Sequence, residues 1–276
     1  MQHGTGGYSL YRSYYYTLKD IRPGIQRLTF LKRKVRQKGF EVLVKRREKS
    51  ITSAVSVDKL DNNLSRVKST VKDLAMCNDW EWWCTLTIDK SKHDRGNLKA
   101  YRKAFCKWVT GINRRCKKTG EVPIRYLLVA EKHEDGNWHM HGFMNGMQAD
   151  QLRNFTLAEK LPVFIREALK DGRELYDWSA YREQFGFISL ERIRCQERAA
   201  SYIIKYVTKD VQRSVTELGE HAYVASQGLK RPKIVKTGKP IETRYPADWE
   251  NKYCELSILR TPEQRKLADS IIAWDS

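Results

Sequence analysis

Trp138-His139-Met140-His141-Gly142-Phe143 is the stretch that decides how the middle of this chain folds. Polar and apolar residues alternate in it, the period of a β-strand with one buried face. Successive side chains of a strand point to opposite sides. His139 and His141 therefore share one face, and Met140 turns the other way, into a core. Paired imidazoles on one face can bind one metal ion. The plainer alternative is a polar strand face that binds nothing.

The neighbouring sequence supplies a partner strand. Residues 125–133 and 137–144 read as a hairpin around Asp135-Gly136. A three-residue loop, Asp135-Gly136-Asn137, sets Glu134 against Trp138, His133 against His139 and Glu131 against His141. Directly opposed residues share a face, so Glu131, His133, His139 and His141 would project from one side. A two-residue loop would instead set Glu131 against Met140, on the wrong face. Two imidazoles and the Glu131 carboxylate leave coordination positions open for water and a phosphate oxygen. That set suits Mg²⁺ or Mn²⁺ where the cation must grip phosphate, with His133 as the alternative third ligand. Zinc fits the ligand types alone.

Further out, Leu60, Leu64, Val67, Val71 and Leu74 form one apolar stripe, which predicts a helix over 58–75. Residues 82–88 alternate as a strand. Asn97 is placed to cap a helix with the stripe Leu98, Tyr101, Phe105, Trp108 and Ile112, and Gly120 sits past its end. After the hairpin come predicted helices near 158–170 and 179–184, a strand at 187–193 and a helix over 196–209. A strand over 252–259 and a helix capped at Thr261-Pro262-Glu263 close the chain. This order indicates an α+β fold: a largely antiparallel sheet with helices packed on it. The expected division is a basic N-terminal arm over 1–57, a core domain over 58–215 and a basic extension over 216–276.

The helix over 196–209 carries Tyr202-Ile203-Ile204-Lys205-Tyr206. At about 100° per residue, Tyr202 and Tyr206 lie roughly 40° apart, with Arg198, Lys205 and Lys209 on the same face. Ala199, Ala200, Ile203 and Val207 make the adjoining face apolar, able to pack on the sheet. A phenol is a weak nucleophile near neutral pH because its pKa is about 10. Lys205 and Lys209 would favour the phenolate and hold a phosphate oxygen. An ordinary amphipathic helix, one of several places for 14 tyrosines, is the bland reading.

Composition narrows the partner. The chain has 276 residues and a formal net charge of +19, which points to a polyanion. Residues 32–49 are densely basic, opposed only by Glu41 and Glu48, and within them Arg46 and Arg47 are candidate DNA contacts; Lys230 and Arg231 mark a second basic stretch. No apolar run approaches the roughly 20 residues that span a bilayer, so no membrane role is expected. The first residues lack a secretory pattern. Six cysteines without C-x-x-C spacing read as reduced thiols in a cytoplasm.

Three segments in order, Cys84-Thr85-Leu86-Thr87-Ile88, His139-Met140-His141 and Tyr202-Ile203-Ile204-Lys205-Tyr206, resemble the motifs of the HUH endonucleases. Within that superfamily they are most similar to rolling-circle replication initiators (Rep proteins) of bacterial plasmids and single-stranded-DNA phages. The resemblance covers roughly 78–210, and the wording of residues 74–78 and 228–231 looks like the plasmid and phage branch. It implies an RRM-like or ferredoxin-like nuclease core within 58–215, in which the histidine pair and a preceding glutamate, Glu131 by position, bind a divalent metal. It also implies a nickase with a tyrosine nucleophile, Tyr202, and a second tyrosine, Tyr206, in members that use two. The partners implied are single-stranded DNA, the replication origin of its own element, and a host DNA polymerase and helicase in a bacterial cytoplasm. A relaxase or single-strand transposase would share this chemistry. A metal-dependent phosphodiesterase would form no covalent intermediate. A DNA-binding regulator would account for the charge but not for the grouped His, Glu and Tyr.

Overall fold

A computed structural model of the chain describes residues 12–34, 57–133, 135–213, 223–238, 245–250 and 254–273. Contacts divide these into two units, one made of 12–34 with the residues from 231 onward, the other of 57–230. In the first, strands β1 (Arg12–Arg22) and β2 (Ile25–Lys34) form an antiparallel hairpin. Pro23 and Gly24 close it. Proline presets its own φ, and Gly24 takes the φ of 76° that a side chain resists. Residues 12–34 were expected within a basic arm. They pair instead because Tyr16, Leu18, Leu28 and Phe30 alternate onto one buried face.

The second unit begins with α1 (Val57–Cys77), β3 (Trp82–Thr87) and α2 (Leu98–Thr119). Asn97 caps α2 as expected, its side chain accepting from Ala100 N–H at 3.0 Å, and Gly120 ends it in the left-handed region. Strands β4 (Arg125–Lys132) and β5 (Trp138–Asn145) follow as the hairpin. Next come β6 (Leu152–Asn154), α3 (Val163–Lys170), β7 (Leu175–Trp178) and α4 (Ser179–Gln184). Then β8 (Ile188–Arg192), α5 (Gln196–Arg213) and β9 (Tyr223–Ala225) complete it. Helix α3 starts later than residue 158, immediately after Pro162, which lacks the N–H that a helix interior needs.

Among the described residues these strands form one antiparallel sheet in the order β6-β7-β8-β3-β5-β4-β9. Its two faces differ in chemistry. Trp82, Cys84 and Leu86 of β3, Leu128 and Ala130 of β4, and Met140 of β5 are buried in one cluster with Tyr101, Phe105 and Val109 of α2. The opposite face carries Trp83, Thr85, Thr87, Glu131, His139 and His141. Helix α5 packs against β4 and against α1. The carboxamide of Asn78, at the end of α1, donates to Leu74 O and Lys230 O and accepts from Lys230 N–H at 2.9 Å. The two segments whose wording looked like the plasmid and phage branch therefore meet in space.

Strands β10 (Lys233–Gly238), β11 (Trp249–Glu250) and β12 (Cys254–Leu259) return to the first unit, with α6 (Pro262–Ala273). Its antiparallel sheet runs β10-β1-β2-β12-β11 among the described residues. Thr261 and Gln264 form a reciprocal capping box at α6: Thr261 Oγ1 accepts from Gln264 N–H, and the Gln264 side chain accepts from Thr261 N–H. No helix among the described residues is long and apolar enough to cross a membrane.

One glycine is placed by close approach. Gly142 follows His141 at φ 157°, where a Cβ would overlap the Leu127 carbonyl oxygen and lie 3.0 Å from its carbon. Backbone of the adjacent strand cannot yield as a flexible side chain would. Gly142→Ala is expected to destabilise the unit by about 1–3 kcal/mol, read as a lower denaturant midpoint. An unchanged midpoint would mean that β4 and β5 are less closely paired here.

Candidate metal centre and tyrosine helix

The hairpin register differs by two residues from the expected one. Glu131 pairs with His139 and Val129 with His141. His133 N–H donates to Asn137 O at 2.9 Å, so the three-residue loop lies between those two residues, with Gly136 at φ 81°. Side-chain direction repeats every two residues, so a shift of two leaves the face unchanged. Glu131 reaches His141 diagonally: its Oε2 is 3.0 Å from His141 Nε2 and 3.8 Å from His133 Nε2.

The ligand atoms of Glu131, His133 and His141 all lie within 4.8 Å of one another. His139 stands beside this set, its ring stacked on that of His133 at a centroid distance of 3.9 Å. A carboxylate and two imidazoles within that span fit a divalent cation; the hard oxygen favours Mg²⁺ or Mn²⁺ and the nitrogens admit later transition metals. Burial, with the neighbouring His133 and His141, lowers the pKa of His139 to about 4. Its ring is therefore neutral and keeps a lone pair at physiological pH.

Strand β3 positions both histidines of the pair. Thr85 is directly opposite His141 and Thr87 opposite His139. Thr85 Oγ1 lies 3.2 Å from His141 Nδ1, and Thr87 Oγ1 3.0 Å from His139 Nδ1. Trp83, on the same face, meets the rings of Tyr202 and Tyr206 at 5.2 and 6.0 Å. Sequence reasoning gave these three residues no role, although their alternation along one strand was visible.

Helix α5 brings both phenols to this face. Its N-terminal end is tied to α1 by Gln196, whose side chain donates to Ala75 O and Asn78 O. The Tyr206 ring stacks on His141 at 4.1 Å, and its hydroxyl is 3.0 Å from that of Tyr202. Tyr206 is 9 % exposed and Tyr202 47 % exposed. Burial, then the Tyr202 hydrogen bond, pushes the Tyr206 phenol well above the ordinary tyrosine range. Lys205 Nζ sits 5.7 Å from the centre of the Tyr202 ring.

These groups line a cleft of about 760 Å³ whose walls also include Arg192, Arg194, Arg198 and the exposed Phe164 of α3. Arg173, another lining residue, is held in a bidentate ion pair by Glu191. Of the DNA-contact candidates, Arg198 lines this cleft and Lys230 and Arg231 are exposed elsewhere. The Lys209 side chain, Arg46 and Arg47 lie outside the described residues.

No curated protein and no solved structure matches the chain. A family model does, that of the ORF2-type replication-associated proteins, a rolling-circle replication initiator family; it matches residues 81–211. That segment runs from the start of β3 almost to the end of α5 and holds every metal-ligand candidate and both phenols. Over it, just under half of its length, the chain has the sequence signature of the ORF2-type replication-associated proteins.

Proposed function

We propose that the protein initiates rolling-circle replication by nicking one DNA strand with a tyrosine nucleophile and later religating it. The observation that carries this reading is the pair of phenols beside the His/Glu cluster: Tyr206 stacked on His141, and half-exposed Tyr202 hydrogen-bonded to it in a cationic cleft. Glu131, His133 and His141 would hold a divalent cation, Mg²⁺ or Mn²⁺, with His139 adjacent. Such a cation supplies charge neutralisation and polarisation of a phosphoryl oxygen when bound.

The chain's own groups do the rest. Arg194 and Arg198 draw the strand into the cleft through its phosphates, and Phe164 offers a ring on which an unpaired base can stack. Tyr202 is the phenol a strand can reach. Its oxygen forms a bond to phosphorus, the bond from phosphorus to the 3′ oxygen breaks, and one proton passes from phenol to solution while the 3′ oxygen gains one. The products are a 5′-phosphotyrosine and a free 3′-OH that a host polymerase can extend. Phosphodiester energy is kept in the adduct, so rejoining needs no nucleotide cofactor. Lys205, beside the Tyr202 ring, is placed to hold a phosphate oxygen, and Tyr206 is the candidate for the second transfer.

Full-length protein incubated with Mn²⁺ and single-stranded oligonucleotides spanning its element's origin should yield a protein–DNA adduct that survives denaturation. Cleavage without an adduct would instead support a phosphodiesterase that uses water. No cleavage of any origin oligonucleotide would leave a DNA-binding regulator as the better reading.

A further inference from the structure

The two threonines of β3 face the two histidines of β5 in register, one hydroxyl to one imidazole, and in both pairs the contact is to Nδ1. We propose that Thr85 and Thr87 are positioning residues that orient His141 and His139, accepting from Nδ1–H so that Nε2 is presented to the cation. The proposal rests on the metal-assisted reading of the site. It gives the Thr-Leu-Thr segment a chemical task, where the sequence showed only an apolar strand.

The argument starts from imidazole chemistry. A histidine that gives the lone pair of Nε2 to a metal carries its proton on Nδ1, and that N–H needs an acceptor wherever water is excluded. His141 is 7 % exposed, with Tyr206 stacked on its ring. Its Nε2 lies 3.0 Å from Glu131 Oε2, on the side of the close ligand set, so Nδ1 is the nitrogen turned away toward β3. The hydroxyl of Thr85 is the group there. Directly opposed residues of an antiparallel pair stay in one geometry because the backbone ladder holds them, so this acceptor needs no ordering when the cation arrives. Leu86, between the threonines, faces the opposite core and is fully buried, which anchors the strand that carries them. Two threonines at a spacing of two therefore serve two histidines at a spacing of two.

Valine is the informative replacement. It keeps the branched shape and the strand preference of threonine and removes only the hydroxyl. Serine keeps the hydroxyl and removes the methyl. Mn²⁺ binding to the full chain, without DNA, should be followed by titration calorimetry. Thr85→Val/Thr87→Val is expected to weaken Mn²⁺ binding by roughly 10–100-fold, the usual cost of losing a partner that orients a ligand. Thr85→Val alone should carry most of that loss, because His141 belongs to the close set and His139 stands beside it. Thr85→Ser/Thr87→Ser should keep wild-type affinity, and the thermal midpoints of all the metal-free variants should agree. Wild-type affinity in the double valine variant would overturn the proposal, as would equal losses in the valine and serine variants, which would mean that only shape matters. Wild-type protein that binds neither Mn²⁺ nor Co²⁺ would overturn the metal reading itself and the proposal with it.

Discussion

Tyr202→Phe is expected to abolish the covalent adduct and lower first-strand nicking by on the order of 10⁴-fold, with folding and DNA binding retained. The substitution removes one oxygen. The ring keeps its edge contact with Trp83 and its place beside Tyr206. The lost hydroxyl interaction is with Tyr206 on a half-exposed surface, so its structural cost is small. DNA affinity comes mainly from Lys and Arg, which the change leaves alone. Mass spectrometry of the trapped wild-type peptide should place the phosphate on Tyr202. An adduct on Tyr206 alone, or undiminished nicking by Tyr202→Phe, would reverse the assignment.

Tyr206 should behave differently. Burial and the Tyr202 contact keep it protonated, and a neutral phenol 3.0 Å away is a donor to an oxygen that becomes negative. Tyr206→Phe is then expected to slow the first nick by about 10–100-fold rather than to abolish it. Geometry thus separates two phenols that the helical wheel, which set them on one face, could not rank.

Most of the fold around the site was legible because its signals are local. Asn97 and Gly120 mark the ends of α2, and the alternation in β3 and β5 assigns faces. The hairpin register was not legible to the residue. Asp135-Gly136 and Gly136-Asn137 both allow a three-residue loop, and nothing local chooses between them. The face survived because the two registers differ by two residues, an even number. Residues 12–34 carried a readable hairpin signal in Pro23-Gly24 between Tyr16-x-Leu18 and Leu28-x-Phe30. The surrounding Lys and Arg obscured it, since charge on the outer face of a strand says nothing about the inner one. Short strands such as β6 and β7 depend on partners distant in sequence and have no pattern long enough to read.

Of the candidate site, the types and the face of the ligands were legible and their spatial grouping was not. Sequence order makes His139 and His141 the natural pair. In space Glu131 reaches diagonally to His141 and toward His133, while His139 stacks alongside. Diagonal contacts across a hairpin depend on side-chain rotamers and strand twist, which spacing does not encode. The Tyr206–His141 stack joins segments 65 residues apart and had no sequence signal beyond the family resemblance.

The grouping makes a graded prediction. His139→Ala/His141→Ala should abolish cleavage at any Mn²⁺ concentration while leaving salt-sensitive DNA binding in place, because binding is carried by phosphate contacts and cleavage by the ligand cluster. Among single variants in a Mn²⁺ titration, His141→Ala and Glu131→Ala should lose most affinity, since these two lie 3.0 Å apart at the centre of the close set. His133→Ala should lose less: its side chain is 46 % exposed and sits farther from Glu131, at 3.8 Å. His139→Ala removes the ring stacked on His133 and the Thr87 contact, so its effect on affinity should fall at or below that of His133→Ala. A larger loss in His139→Ala than in His133→Ala would move the third position from His133 to His139. Full nicking by the double histidine variant in Mn²⁺ would sever the cluster from the chemistry and leave the phenols without a metal-assisted role.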